Sequence, residues 1–106
     1  MSQQAKPDLG ALCAGCAAEL DDAIGSSDGA TTAYRREGVE FARVEGARLR
    51  VRLPVDIAEA ALNTPDTTLD PDDRGWLVFS PSSDERHVVD RATAWFRLAW
   101  KHANDH

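Results

Sequence analysis

Arg48, Arg50 and Arg52 alternate with Ala47, Leu49, Val51 and Leu53 in a strict two-residue rhythm, the part of the chain best equipped for recognition chemistry. Side chains on a strand point to opposite faces in turn, so the rhythm predicts three guanidinium groups together above an apolar underside. Each guanidinium is a planar fork of donors that fits a carboxylate or a phosphate with two parallel hydrogen bonds. Arg35, Arg36 and Arg43 on neighbouring segments can extend the row, and Tyr34 is the aromatic beside it that could stack on a base, Phe41 being assigned to the core. The competing use for the same arginines is pairing with Glu37, Glu40, Glu45 or the acidic segment at Asp70, Asp72 and Asp73. Exposed pairs of that kind are common and worth only about 0–1 kcal/mol each.

Three other groupings carry chemical side chains and point more weakly to chemistry. Cys13 and Cys16 have the spacing of half a zinc site, and His102 and His106 that of a histidine pair, but the separation between the pairs is far from that of a zinc finger. A redox CxxC belongs at the start of a helix after a strand, whereas this one falls inside a helical pattern, so both cysteines are expected to be small core residues. The segment Asp70-Pro71-Asp72-Asp73-Arg74-Gly75 lacks the alternating ligands and terminal glutamate of a calcium loop and reads as a solvated connection. His87 has no serine or cysteine nucleophile near it in sequence, and no catalytic triad assembles. Neither a metal nor a cofactor is expected.

The charge distribution narrows the choice of partner. The chain has 106 residues and a formal net charge of -6, which opposes general affinity for phosphate backbones. Residues 1–32 hold one base and five acids, and residues 54–75 one base and six acids, while residues 33–53 hold six arginines and three glutamates. The arginine row therefore sits in a basic island within an acidic chain. The length predicts one domain over residues 1–106, with a polar, disordered start at 1–6. No apolar run is long enough to span a bilayer and no signal-peptide order is present, so a cytoplasmic protein without membrane contact is expected. Two cysteines are too few for a secreted disulfide framework.

The elements that must position these residues follow from periodicity. After Pro7-Asp8, residues Leu9, Leu12, Cys13, Cys16, Leu20, Ala23 and Ile24 recur at helical spacing, and Gly25 suits the end of that helix, with a loop at residues 26–29. Extended patterns follow at residues 32–36, 39–44 and 47–53, broken at Glu37-Gly38 and Glu45-Gly46, which predicts an antiparallel meander with glycine turns. Pro54 stops the third strand, and Asp56 is placed to cap a short helix over 57–62. Residues 63–75 read as irregular. The apolar run Trp76-Leu77-Val78-Phe79 predicts a central strand covered on both faces, in preference to one lying at a second contact surface. A capping box at Ser82 and Glu85 opens a final helix to about residue 102, with Val88, Ala92, Trp95, Phe96 and Ala99 as its apolar stripe, broadened by Val89 and Trp100.

This order, with Leu53-Pro54-Val55-Asp56-Ile57-Ala58-Glu59-Ala60-Ala61-Leu62, Gly75-Trp76-Leu77-Val78-Phe79, Val88-Val89-Asp90-Arg91-Ala92 and Leu98-Ala99-Trp100, resembles the small bacterial proteins of the luciferase-domain family. It is also similar to the broader MmcQ/YjbR-like group. The resemblance covers about residues 33–102 and implies a curved antiparallel sheet with helices packed on it. It implies no light emission, and for some relatives it implies DNA binding through paired wing-like loops; no functional residue is carried over.

The expected architecture is therefore an α+β fold in the order α-β-β-β-α-β-α: about four antiparallel strands with helices mainly on one face, and Leu20, Leu49, Val51, Leu53, Trp76, Val78, Trp95 and Phe96 central to the core. The expected function is a non-catalytic interaction module that binds an unknown protein or anionic ligand through Arg48, Arg50, Arg52, Arg35, Arg43 and Tyr34. Two alternatives stand beside it. One is a nucleic-acid-binding domain of the MmcQ/YjbR type, and the other a small-ligand binder or enzyme with a pocket near Trp76, beside the last helix.

Overall fold

The computed structural model describes residues 9–81 and 86–103, and in residues 86 and 87 the backbone alone. The polar start at 1–6, the Pro7-Asp8 helix opening, the Ser82–Glu85 capping box, His106 and the surroundings of His87 lie outside the described residues.

The chain runs through α1 (Leu9–Ala18), β1 (Ile24–Asp28), β2 (Thr31–Arg36), β3 (Val39–Glu45), β4 (Arg48–Arg52), α2 (Val55–Ala61), β5 (Thr67–Asp70), β6 (Asp73–Phe79) and α3 (Arg86–Ala103). The strands form one antiparallel sheet of six in the order β1-β2-β3-β4-β6-β5. The α+β class and the one-sided helices agree with the sequence. The strand count exceeds the expected four because both edge strands, β1 and β5, lack the buried apolar alternation that marks a strand in the sequence.

Turn chemistry builds the meander. Glu37 and Gly38 both have positive φ (52° and 83°), as a type I′ hairpin turn requires, and the β3–β4 turn puts Gly46 at φ 62°. Ala47 thus sits in a turn rather than on the core face. Gly29 at φ 64° makes a further hairpin that the sequence did not announce, joining β1 to β2. The first helix consequently ends at Ala18, and Ile24 and Gly25 belong to a strand. Every β1 residue is exposed, so no apolar alternation marks it. In α2, the cap position is Pro54 with no side-chain cap hydrogen bond, so Asp56 falls within the first turn instead of preceding it.

One core lies between the sheet and the three helices. Leu49, Val51, Leu77 and Phe79 point to it from neighbouring strands, and Leu9, Cys13, Ala58, Ala92, Phe96 and Ala99 meet them from the helices. Tyr34 and Phe41 both meet Phe96 edge-on, at centroid distances of 5.1 and 5.3 Å, and Phe79 meets Trp95 in the same way at 5.0 Å. Leu53 and Trp95 are buried as expected, while Leu20 packs at the core margin. Trp76 and Val78 are the main correction. Leu77 and Phe79 occupy the core side of β6, so alternation turns Trp76 and Val78 to the face that none of the described helices covers.

Candidate functional site

The register of the six strands lays out the helix-free face in rows. One row crosses all six strands as Ser26, Ala33, Arg43, Arg50, Val78 and Thr68. On one side of it, Asp28, Thr31, Glu45 and Arg48 form a second row. On the other side, Ile24, Arg35 and Glu40 align, and Arg52 lies opposite Trp76. Arg48, Arg50 and Arg52 thus share the outer face of β4, as their alternation predicts, and Arg35 and Arg43 join them there.

Their electrostatic states differ. Arg50 is clamped by Asp70, with Glu45 at 3.8 Å on its other side. Arg43 donates from Nε and Nη2 to the two oxygens of Glu40 at 2.8 and 3.1 Å, and that hydrogen bond, then the Glu40 charge, raises its pKa. Arg35 stands 3.7 Å from the same carboxylate. Arg48 and Arg52 have no ion-pair partner among the described residues. Arg48 is exposed and Arg52 half-buried. Three arginines are therefore neutralised by Glu40, Glu45 and Asp70, and the two ends of the original row are unpaired among the described residues.

Two expected members are withdrawn from the face. Tyr34 is buried under the helices, only 4% exposed, and its hydroxyl pKa is raised by burial first and by the neighbouring Cys13 and Cys16 second. It cannot stack on an external base. Arg36 also turns to the helix side, where its guanidinium lies 3.7 Å from the Trp100 ring centroid and Nη1 donates to the Trp100 carbonyl at 3.1 Å. Trp100 in turn donates from Nε1 to the Asp21 carbonyl at 2.7 Å, tying α3 to the segment between α1 and β1.

Trp76 is the residue that the sequence assigned to the wrong face. It borders a cavity of about 290 Å³ with Glu40, Arg43, Arg50, Asp70, Asp72 and Asp73. A hollow near Trp76 is therefore present, and its lining comes from β3, β4, β5, β6 and the β5–β6 turn rather than from α3. A second hollow of about 310 Å³ lies over β4, β6 and β5, where Arg48, Thr68, Val78 and Ser80 meet. The signal that could have placed Trp76 outside was its register parity with Arg52, which needs the β4–β6 pairing to be known.

Cys13 and Cys16 are buried, unbridged and on the core side of α1. Burial, and secondarily Cys16, pushes the Cys13 thiol from 9.0 up to about 12, so it is a neutral, poorly nucleophilic group at physiological pH. Among the described residues no three His, Cys, Asp or Glu side chains cluster as a metal site, and no helix is long and apolar enough to cross a membrane. No family model, curated protein or solved structure matches the chain.

Proposed function

We propose that the domain is a non-catalytic interaction module that docks a protein partner bearing exposed carboxylates on the helix-free face of its sheet. The observation that carries this reading is the split within the arginine row. Arg50 is held by the fold's own acids, whereas Arg48 and Arg52, on either side of it, have no ion-pair partner among the described residues. Four residue steps along the strand separate them, about 13 Å. Trp76, half-buried beside Arg52 and turned outward, supplies the aromatic anchor on which interfaces commonly depend.

A protein partner fits better than nucleic acid because the face is not uniformly basic. Glu40, Asp70, Asp72 and Asp73 line the hollow beside Trp76 and would repel a continuous phosphate backbone, while discrete carboxylates can reach Arg48 and Arg52 separately. The mixed charged lining also differs from the mostly apolar walls of small-molecule pockets.

The test is affinity capture from the source cell with quantitative mass spectrometry, comparing the native chain with Arg48→Glu/Arg52→Glu and with Trp76→Ala. Specific partners should be depleted by both variants while circular dichroism stays native. Retention of every partner by both variants would overturn the reading. So would tight, steeply salt-dependent oligonucleotide binding in fluorescence anisotropy, which would favour the nucleic-acid alternative.

A further inference from the structure

From the free edge of β1 we infer that the chain forms a two-fold dimer by antiparallel pairing of β1 with β1 of a second copy, joining two sheets into one of twelve strands. The two edges of the sheet are not alike. β5 has four residues, is flanked by Pro65 and Pro71, and has an irregular register with β6 between Leu69 and Asp70, all of which hinder strand addition. β1, Ile24–Asp28, has no proline, no lysine and a regular register with β2. Its first residue, Ile24, is 67% exposed, the most exposed large hydrophobic side chain among the described residues.

Backbone geometry says what covers that edge. The two-residue turn at Gly29-Ala30 makes Asp28 and Thr31 a hydrogen-bonded pair, so Ser26–Ala33 and Ile24–Arg35 are bonded pairs as well. Gly25 and Ser27 occupy the alternate positions, and their N–H and C=O groups point out of the sheet. The 2.9 Å contact between the Ser27 and Thr32 hydroxyls fits a closely spaced non-bonded pair. Outward amide groups at two alternate residues are complementary to another extended strand.

The strand is complementary to itself. With the two-fold axis at Ser26, Gly25 of each copy bonds to Ser27 of the other, and Ser26 faces Ser26 across the axis. The residues around the axis, Gly25, Ser26 and Ser27, are all small, so no side chain of the strand beside the axis blocks the approach. Ile24 then faces Asp28 of the second copy. Arg35, beside Ile24 and only 3.7 Å-paired to Glu40, comes within about two strand spacings, roughly 10 Å between backbones, of that Asp28. An arginine and an aspartate side chain span this distance, and Asp28 has no ion-pair partner among the described residues. The helix-free faces of the two copies become one surface, on which the rows through Arg43 and Arg50 run on from copy to copy.

Sedimentation of the full chain from micromolar to millimolar concentration should show a concentration-dependent rise from 11.5 kDa towards twice that mass. Ser26→Cys should give a covalent dimer rapidly with diamide, because cross-axis neighbours in a non-bonded pair have Cα atoms only about 4.5 Å apart. Thr68→Cys on the opposite edge should not. Ser26→Lys sets two cations against each other at the axis and should weaken the dimer by about tenfold or more with an unchanged melting temperature of the dilute monomer. A chain that stays at 11.5 kDa throughout, with Ser26→Cys cross-linking no faster than Thr68→Cys, would overturn the inference and leave the edge to a strand from another protein. A dimer that survives Ser26→Lys unweakened would overturn it too.

Discussion

Arg43 on β3 and Arg50 on β4 are direct cross-strand partners, two cations facing the same side of the sheet at adjacent positions. Like charges so placed destabilise a sheet. Here each has its own carboxylate, Glu40 for Arg43 and Asp70 for Arg50, with Glu45 beside the second. The acids therefore act first on the fold, letting a basic row exist at the centre of the sheet, while Arg48 and Arg52 have no ion-pair partner among the described residues.

Replacing Asp70 by Asn should expose this repulsion. The Arg50–Asp70 pair is only partly solvated, its side chains 26% and 14% exposed, so its loss should cost about 1–2 kcal/mol, between the values for exposed and buried pairs. Arg48→Ala, which breaks no pair, should change stability by no more than about 0.5 kcal/mol. Urea unfolding of the two variants beside the native chain checks the contrast; equal effects would contradict the assigned roles.

Alkaline pH should weaken the fold through Cys13. Its pKa is raised on folding, from 9.0 to about 12, so the unfolded chain releases the thiol proton first. The stability contribution is fully present below 9.0 and is lost as pH rises towards about 12. Stability should fall by up to about 1.4 kcal/mol per pH unit in that window, and Cys13→Ala should remove that part of the slope. Urea titrations in reductant at several pH values between the two limits measure it directly.

Gly25 and Gly15 should respond in opposite ways to alanine. A Cβ at Gly25 would lie 2.9 Å from Cε1 of Tyr34, a buried ring already packed edge-on against Phe96 at 5.1 Å, so overpacking should cost about 1–3 kcal/mol. A Cβ at Gly15 meets nothing within 4 Å and sits inside α1, where alanine should add up to about 1 kcal/mol through helix propensity. Melting temperatures that move down for the first and up for the second are the expected result.

Much of the fold was legible where burial is one-sided. The meander of β2, β3 and β4 shows itself because apolar and polar residues alternate and glycines mark the turns, and α3 because Val88, Ala92, Trp95, Phe96 and Ala99 recur at helical spacing. β1 was missed because neither of its faces is buried, which leaves composition alone, and Ser26-Ser27-Asp28 has the composition of a loop. β5 was hidden in the same way between two prolines. In β6 the signal was ambiguous, since Trp76, Leu77, Val78 and Phe79 are all apolar and parity within the run cannot say which pair is inside. The pairing of Leu49 with Phe79 and of Val51 with Leu77 decides it.

The sequence by itself determined that Arg48, Arg50 and Arg52 share one face of a strand, because side-chain alternation is a property of the extended backbone and needs no partner. Tertiary structure decided which of the three is paired within the fold. Asp70 is twenty residues beyond Arg50 and reaches it from β5, on the far side of β6, so the clamp exists only once the sheet has closed in the order β4-β6-β5. Charge pairing depends on which strands become neighbours, and a periodic pattern along the chain does not carry that information.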